Sequence, residues 1–452
     1  MTKFTVVHDD LFENLPDTWV YGPFGEYVDF QEGPGILAKD FHETGVPLIR
    51  LNSIKSSTAT LTGCNFLDPE KVEKKWSHFK LSIGDLLLSS SASLGRVSEV
   101  DESTAGALAY TGIIRMRPSN VSITKGFIRF FLQSRLFSHQ IERSATGSVI
   151  KHFGPMHLKQ MGITLPPVKE QKAIAHILGT LDDKIELNRK MNQTLEEIAK
   201  AIFKSWFVDF DPVRAKAEGR PTGLPPEISD LFPDELVDSE IGEIPKGWEV
   251  KTISDLADCL GGATPSTKNP DFWDGGHLTW TSPKDLSKLE SIHLLKTDRK
   301  ITESGLKKIS SGLLPVGTVL LSSRAPVGYL ALTTEPTAIN QGYIALKPIS
   351  GVSNYFLLNW CDSNLEQIKN RASGTTFAEI SKAAFRPIPA VSPSRELMTK
   401  FHEFVEPIYE RVLCASKEVE TLSDLRDTLL PKLISGELRI PDAEKFLKEA
   451  GI

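Results

Sequence analysis

The sequence predicts an α/β (α+β) chain of two similar globular domains, related by pseudo-twofold symmetry and joined by two long antiparallel coiled-coil helices. Three observations predict it: an internal repeat of about half the chain, a short-strand pattern inside each half, and a heptad seam that follows each half.

The repeat rests on five matches in the same order. Pro16-Asp-Thr-Trp19 answers Pro245-Lys-Gly-Trp248. Residues 49–55 loosely answer 279–285, residues 83–95 answer 316–328, residues 110–118 answer 340–348, and Ala145-Thr-Gly-Ser148 answers Ala372-Ser-Gly-Thr375. The offsets run from 227 to 233. Within each half, Gly84-Asp-Leu-Leu-Leu-Ser and Gly317-Thr-Val-Leu-Leu-Ser are short apolar runs after glycine, as in buried strands. Residues 113–116 and 343–346 look similar, and helical stretches intervene at 128–143 and 355–372.

The seams come next. In residues 170–206 the apolar positions Ile174, Leu178, Leu181, Ile185, Leu195, Ile202 and Trp206 are spaced as in a heptad, with Asn188 and Asn192 on the same line. Residues 396–430 repeat this with Phe401, Val405, Ile408, Val412, Ala415, Val419, Leu422, Leu425 and Leu429. At ~1.5 Å per residue each helix runs roughly 50–55 Å. Such seams at equivalent places in a duplicated chain predict antiparallel packing, with Asn188 fixing register at some cost in stability. A rod of that length spans one to one and a half turns of DNA, at ~34–36 Å per turn. Two heads so spaced would read two half-sites on one side of a duplex. Two amphipathic helices, each lying on its own domain, are the alternative.

Composition narrows the function classes. The chain of 452 residues carries 52 basic and 58 acidic residues, a net −6, so a nucleic-acid surface must be local. The charge is segregated: residues 1–38 hold one basic and seven acidic residues, 39–168 hold 16 and 10, 207–247 hold 4 and 10, and 248–393 hold 15 and 13. The mid-chain segment, with Gly219, Pro221, Gly223, Pro225 and Pro226, reads as an extended acidic connector. Cys64, Cys259, Cys361 and Cys414 form no C-x-x-C pair and have no histidines at zinc spacing, so free thiols and a cytoplasmic setting are expected. Signal-peptide and membrane-spanning patterns are absent, and no metal site is expected.

Several phrases resemble the specificity subunits of type I restriction–modification enzymes over nearly the whole chain. They are Leu165-Pro-Pro-Val-Lys-Glu-Gln171, Ile185-Glu-Leu-Asn-Arg-Lys190, Phe203-Lys-Ser-Trp-Phe-Val-Asp-Phe210, Ile244-Pro-Lys-Gly-Trp248 and Leu429-Leu-Pro-Lys-Leu-Ile-Ser-Gly-Glu-Leu438. Val391-Ser-Pro-Ser-Arg-Glu396 departs from the fuller phrase of the first half. The resemblance implies target-recognition domains at 1–168 and 248–393, spacer helices at 169–207 and 394–436, a linker at 208–247 and a tail at 437–452. It implies that the chain binds double-stranded DNA and is not itself an enzyme. Two modification subunits would dock on the spacer helices and methylate adenine N6 with S-adenosylmethionine. Restriction and translocase subunits using ATP and Mg would join them, and this chain would hold no cofactor. The chain lacks a G-x-x-x-x-G-K-[ST] phosphate loop, and Phe210-Asp-Pro-Val213 lacks the second proline and aromatic of an adenine-methyltransferase loop. A two-headed protein–protein adaptor is the rival reading.

In such a reader Lys and Arg would hold phosphates and polar side chains would read base edges. The loop after the apolar strand supplies the first candidates: Ser89, Ser90, Ser91, Ser93 and Arg96, and in the second half Ser322, Ser323 and Arg324. The same residues equally suit a plain Ser/Gly turn. The loop with Lys151 and His152, and its counterpart with Arg371, Thr375 and Thr376, sits before a helix where backbone N–H groups suit phosphate. Tyr110-Thr111 and Asn340-Gln341 form the third pair, although Asn340 equally suits a turn. Lys55 and Lys284 complete the set.

Overall fold

The computed structural model describes residues 15–54, 57–90, 95–144, 153–374 and 378–449. They form two compact units: Met1–Glu186 with Glu420–Ile452, and Leu187–Val419.

In the first unit, strands Val28–Glu32, Ile113–Pro118, Leu86–Ser89 and Val97–Glu99 form one antiparallel sheet in that order. A second sheet places Val46–Ile49 between Asn65–Leu67, antiparallel, and Leu108–Ala109, parallel. Val20–Pro23 pairs with Gly162–Leu165, which leads into the first long helix. Leu86, Leu87 and Leu88 are fully buried, as a strand covered on both faces requires. The strand Ile113–Pro118 is followed by helix Lys125–Gln133, capped by Thr124, whose hydroxyl accepts from the Phe127 N–H. That helix buries Phe127, Ile128, Phe130, Phe131 and Leu132. Ser134 separates it from the next helix, Arg135–Ser144.

The second unit repeats this plan. Ala257–Leu260, Tyr343–Pro348, Val319–Ser322 and Leu330–Thr333 form the antiparallel sheet, with His293–Leu294 added at its edge. Leu278–Thr281 lies between Arg299–Ile301 and Thr337–Ile339, again one antiparallel and one parallel pairing. Glu249–Thr252 pairs with Pro389–Ser392. Ser353 caps helix Asn354–Ser363 as Thr124 caps its counterpart. The repeat seen in the letters is therefore a repeat of strand order.

Two long helices follow: α1, Val168–Phe207, and α2, Arg395–Ser435. At ~1.5 Å per residue each is roughly 60 Å long. Pro407 and Pro431 both lie within α2, which continues through them without their N–H groups. The helices pair antiparallel within each unit. In the first, Arg426 of α2 donates to Asp182 of α1 at 3.1 Å, beside buried Leu178, Leu181, Ile185, Leu422 and Leu429. Arg129 reaches the other oxygen of Asp182 at 2.6 Å. In the second, Asn188 donates to Glu418 at 2.9 Å and Asn192 to Ser416 at 3.0 Å. Beyond Asn192 the seam departs from the expected line at Leu195 and Ile202, which are part-exposed, whereas Ala199 and Phe203 are buried; the expected Trp206 is buried against Phe401. Here α1 also packs on its own unit, with Phe203 against Phe356 and Phe401 at 5.3 and 6.1 Å between ring centres.

The mid-chain segment is not the extended connector its Pro and Gly content suggested. It folds into helix Asp211–Ala217 and a hairpin of Leu236–Ser239 with Gly242–Pro245. Phe210, Val213, Ile228 and Phe232 are buried in the core of the second unit. Phe232 stands edge-on to Trp206 at 5.4 Å, and Phe210 edge-on to Trp248 at 5.8 Å. Burying these apolar groups against aromatic partners stabilises the segment enough to order it despite its backbone composition.

Among the described residues, no helix is long and apolar enough to cross a membrane. The four cysteines are free, with Cys259 and Cys361 buried, and burial pushes the Cys259 thiol up to about 11.

Candidate nucleic-acid interface

In each unit, described residues that border the three loops singled out by the repeat meet at one end of the antiparallel sheet. In the first unit the Ser90 N–H donates to Gly112 O at 2.8 Å, and the Phe153 N–H donates to Ser90 O at 3.0 Å. The strand end, the Tyr110–Gly112 turn and the start of the segment after the second loop are thus tied by backbone bonds. In the second unit the Ser323 N–H donates to Gly342 O at 2.8 Å and the Ile380 N–H to Ser323 O at 3.0 Å. The same three pieces meet in the same way. Glycine makes the approach possible from a fourth side: a Cβ at Gly33 would lie 2.0 Å from Ala109 O, and one at Gly262 would lie 1.8 Å from Ile339 O.

The candidate side chains divide by accessibility. Ser90 and Ser323 are 1% and 3% exposed, so their hydroxyls lie inside the fold, out of reach of a base edge. Ser89 and Ser322 are buried as well, and the Ser322 hydroxyl accepts from the Gly328 and Tyr329 N–H groups at 3.1 and 2.7 Å. The Ser89 hydroxyl likewise accepts from the Arg96 N–H at 3.0 Å, so Ser89 and Ser322 tie the strand end, whereas the buried Ser90 hydroxyl has no hydrogen-bond partner among the described residues. Arg96 and Thr111 are exposed; the Thr111 hydroxyl and the Gly112 N–H both donate to Glu32, at 3.4 and 3.1 Å. Arg324 is partly exposed and faces Glu379 at 3.6 Å. Asn340 accepts from the Gly342 N–H at 2.8 Å, the hydrogen bond of a turn residue. Gln341 is exposed and accepts from Thr264 at 2.7 Å. Arg371 is exposed. Lys284 is exposed and shares Asp298 with Lys288, at 3.3 Å; the two ammonium groups, Lys288 first, hold the Asp298 carboxyl below its usual range. Lys55, Ser91, Ser93, Lys151, His152, Thr375 and Thr376 lie outside the described residues.

Two arginines beside these loops escaped the sequence reading. Arg50 follows the strand Val46–Ile49, and its guanidinium lies over the Tyr110 ring at 4.5 Å while donating to Asn65 at 2.6 Å. Arg299 begins the strand Arg299–Ile301 and lies 3.4 Å over Trp273. Further along the same sheet, towards its other end, Arg115 meets Asp29 at 2.7 Å and Arg117 meets Asp85.

A family profile described as the type I restriction modification DNA specificity domain matches residues 16–197 and 245–396, the two halves of the repeat. The chain belongs to the type I restriction–modification specificity subunits. The specificity subunit of the type I restriction enzyme HindI from Haemophilus influenzae is 32% identical over 323 residues, covering 62% of this chain and 70% of that one. The MjaIX specificity subunit of Methanocaldococcus jannaschii is 39% identical over 168 residues, 37% of this chain and 39% of the relative. Among solved structures, the type I restriction–modification S subunit from M. genitalium superposes with a TM-score of 0.57 at 15% identity, covering 93% of this chain and 97% of that one. This specificity subunit therefore has the S-subunit fold and serves the DNA sequence specificity of a type I restriction–modification system.

Proposed function

We propose that this specificity subunit reads a split DNA target, one half-site per unit, and that the paired helices α1 and α2 carry two modification subunits. The observation that carries the reading is the duplication of strand order, with the described borders of three loops joined at the same sheet end in each unit. Two similar heads on one chain suit two half-sites separated by bases that neither reads. The modification subunits would supply adenine N6 methylation with S-adenosylmethionine. Restriction and translocase subunits would add ATP- and Mg-dependent cleavage. This chain supplies address and scaffold in the cytoplasm, binding no cofactor.

The test has two parts. Gel shifts of the assembled complex on duplex DNA across a salt series should show log affinity falling linearly with log salt. Mapping methylated adenines in a host carrying the complex should return a split motif with one modified adenine per strand. A continuous motif, or binding without a salt slope, would overturn the proposal.

A further inference from the structure

We propose that Arg50 and Arg299 are specificity-determining residues, each reading a guanine in the half-site of its own unit. The inference rests on the half-site reading above. It begins with a mismatch inside the repeat. In the first unit Ile49 stands opposite Ala109, and in the second Thr281 stands opposite Ile339. These pairings make Arg50 the counterpart of Ser282. Leu48 stands opposite Asn65, and Trp280 opposite Arg299, so Asn65 is the counterpart of Arg299. Each three-stranded sheet thus has one arginine at the same end, delivered by a different strand. The framework around these positions is repeated while they are not. That is the pattern expected where two copies of one fold must read different half-site sequences.

The local chemistry suits base reading. An arginine over an aromatic face keeps its charge while the ring restricts its rotamers, so less entropy is lost on binding. Arg50 is held by Tyr110 and by Asn65; Phe41 lies 5.7 Å from its guanidinium. Only one of its donors meets Asn65. Arg299 is exposed, and Trp273 beneath it is braced edge-on against Trp280 at 5.1 Å and donates to Ser266 O at 3.1 Å. Neither arginine has a carboxylate partner among the described residues, in contrast to Arg115, Arg117 and Arg324. Both lie beside the loop cluster: Arg50 through Tyr110, which opens the Thr111–Gly112 turn, and Arg299 through Trp280, whose indole N–H donates to Ala263 O next to Thr264 and its partner Gln341. A planar fork of donors at a loop cluster matches guanine O6 and N7 in the major groove.

The experiment assembles wild type, R50Q, R50A, R299Q and R299A with the modification subunits and maps methylated adenines genome-wide. Glutamine keeps a planar polar end but prefers adenine. R50Q should relax or change one base pair in one half of the motif and leave the other half intact; R299Q should do the converse. Discrimination at that base pair should fall by about 5- to 150-fold. N65A should weaken the same base pair as R50Q, because Asn65 acts through Arg50. If wild type gives a split motif but both glutamine variants leave it unchanged, the inference fails and the half-site reading stands. A uniform loss of affinity with an unchanged motif and a salt slope lower by about one marks a phosphate contact and also overturns it. If wild type gives no split motif, both readings fall. Should the alanine variants not fold, the glutamine variants decide.

Discussion

His293 offers a quantitative test of how the second unit is packed. It is 6% exposed, its Nδ1 has no hydrogen-bond partner among the described residues, and burial, with the Lys417 ammonium adding to it, lowers its pKa from 6.5 to about 4. The folded chain thus binds the proton less tightly than the unfolded chain. The stability this histidine permits is fully present above about pH 7 and is lost as pH falls through 6.5 towards 4. The gap of about 2.5 units corresponds to about 3 kcal/mol once pH lies below 4, and to about 2 kcal/mol at pH 5. Glu196 of α1 works in the opposite sense. Burial raises its pKa although it accepts the Ile292 N–H at 3.0 Å, so acid relieves rather than aggravates its desolvation. A comparison of wild type with His293→Leu isolates the histidine from Glu196 and the other carboxylates. Urea unfolding at pH 7.5 and pH 5.0, read by tryptophan fluorescence, should show the variant losing about 2 kcal/mol less than wild type over that interval. Equal losses in the two proteins would refute the assignment of a buried, neutral imidazole.

Three further perturbations follow from the packing. Asp182→Ala should leave Arg129 and Arg426 without their shared carboxylate and cost about 3–5 kcal/mol, measured by denaturant unfolding; a loss under about 1 kcal/mol would mean that the pairs are effectively solvated. Gly33→Ala and Gly262→Ala each drive a methyl into a backbone carbonyl and should cost about 3 kcal/mol or more by the same measurement, whereas Gly35→Ala, with open space around it, should cost under about 1 kcal/mol. Phe232→Ala should cost about 3–5 kcal/mol and expose the mid-chain segment to limited proteolysis, a result that a loose connector would not give.

Much of the fold was legible because folding phrases were copied. Gly84 to Ser89 and Gly317 to Ser322 carry the same demand for a turn and a strand buried on both faces, so the repeat disclosed these strands and the likeness of the two halves. The heptad spacing of Leu178, Leu181 and Ile185 disclosed the helical pairing. Beyond Asn192 it held at Trp206 and misled at Leu195 and Ile202, which are part-exposed while Phe203 is buried against both Phe356 and Phe401. In the connector, Pro and Gly counts outweighed Phe210 and Phe232, whose partners Trp206 and Trp248 flank the segment in sequence. The candidate interface was half legible for a related reason. Matching the halves finds what they share, and among the shared serines Ser89 and Ser322 are buried with hydroxyls that tie the strand end, while Ser90 and Ser323 are buried at its tip. Arg50 and Arg299 occupy unmatched positions, and their aromatic partners come from other strands and loops. No periodicity or spacing marks such pairs.

The hydrogen bond between Asn188 and Glu418 has a practical consequence. The chain enters the second unit near one residue and leaves it near the other, with side chains only 2.9 Å apart. That unit is therefore a cassette with adjoining ends, held at its mouth by two helical turns. Exchange of recognition halves between related proteins should cut within α1 and α2 at this point. A graft begun at Trp248 would strand Phe207, Phe210 and Phe232 on the donor side of an aromatic cluster they belong to.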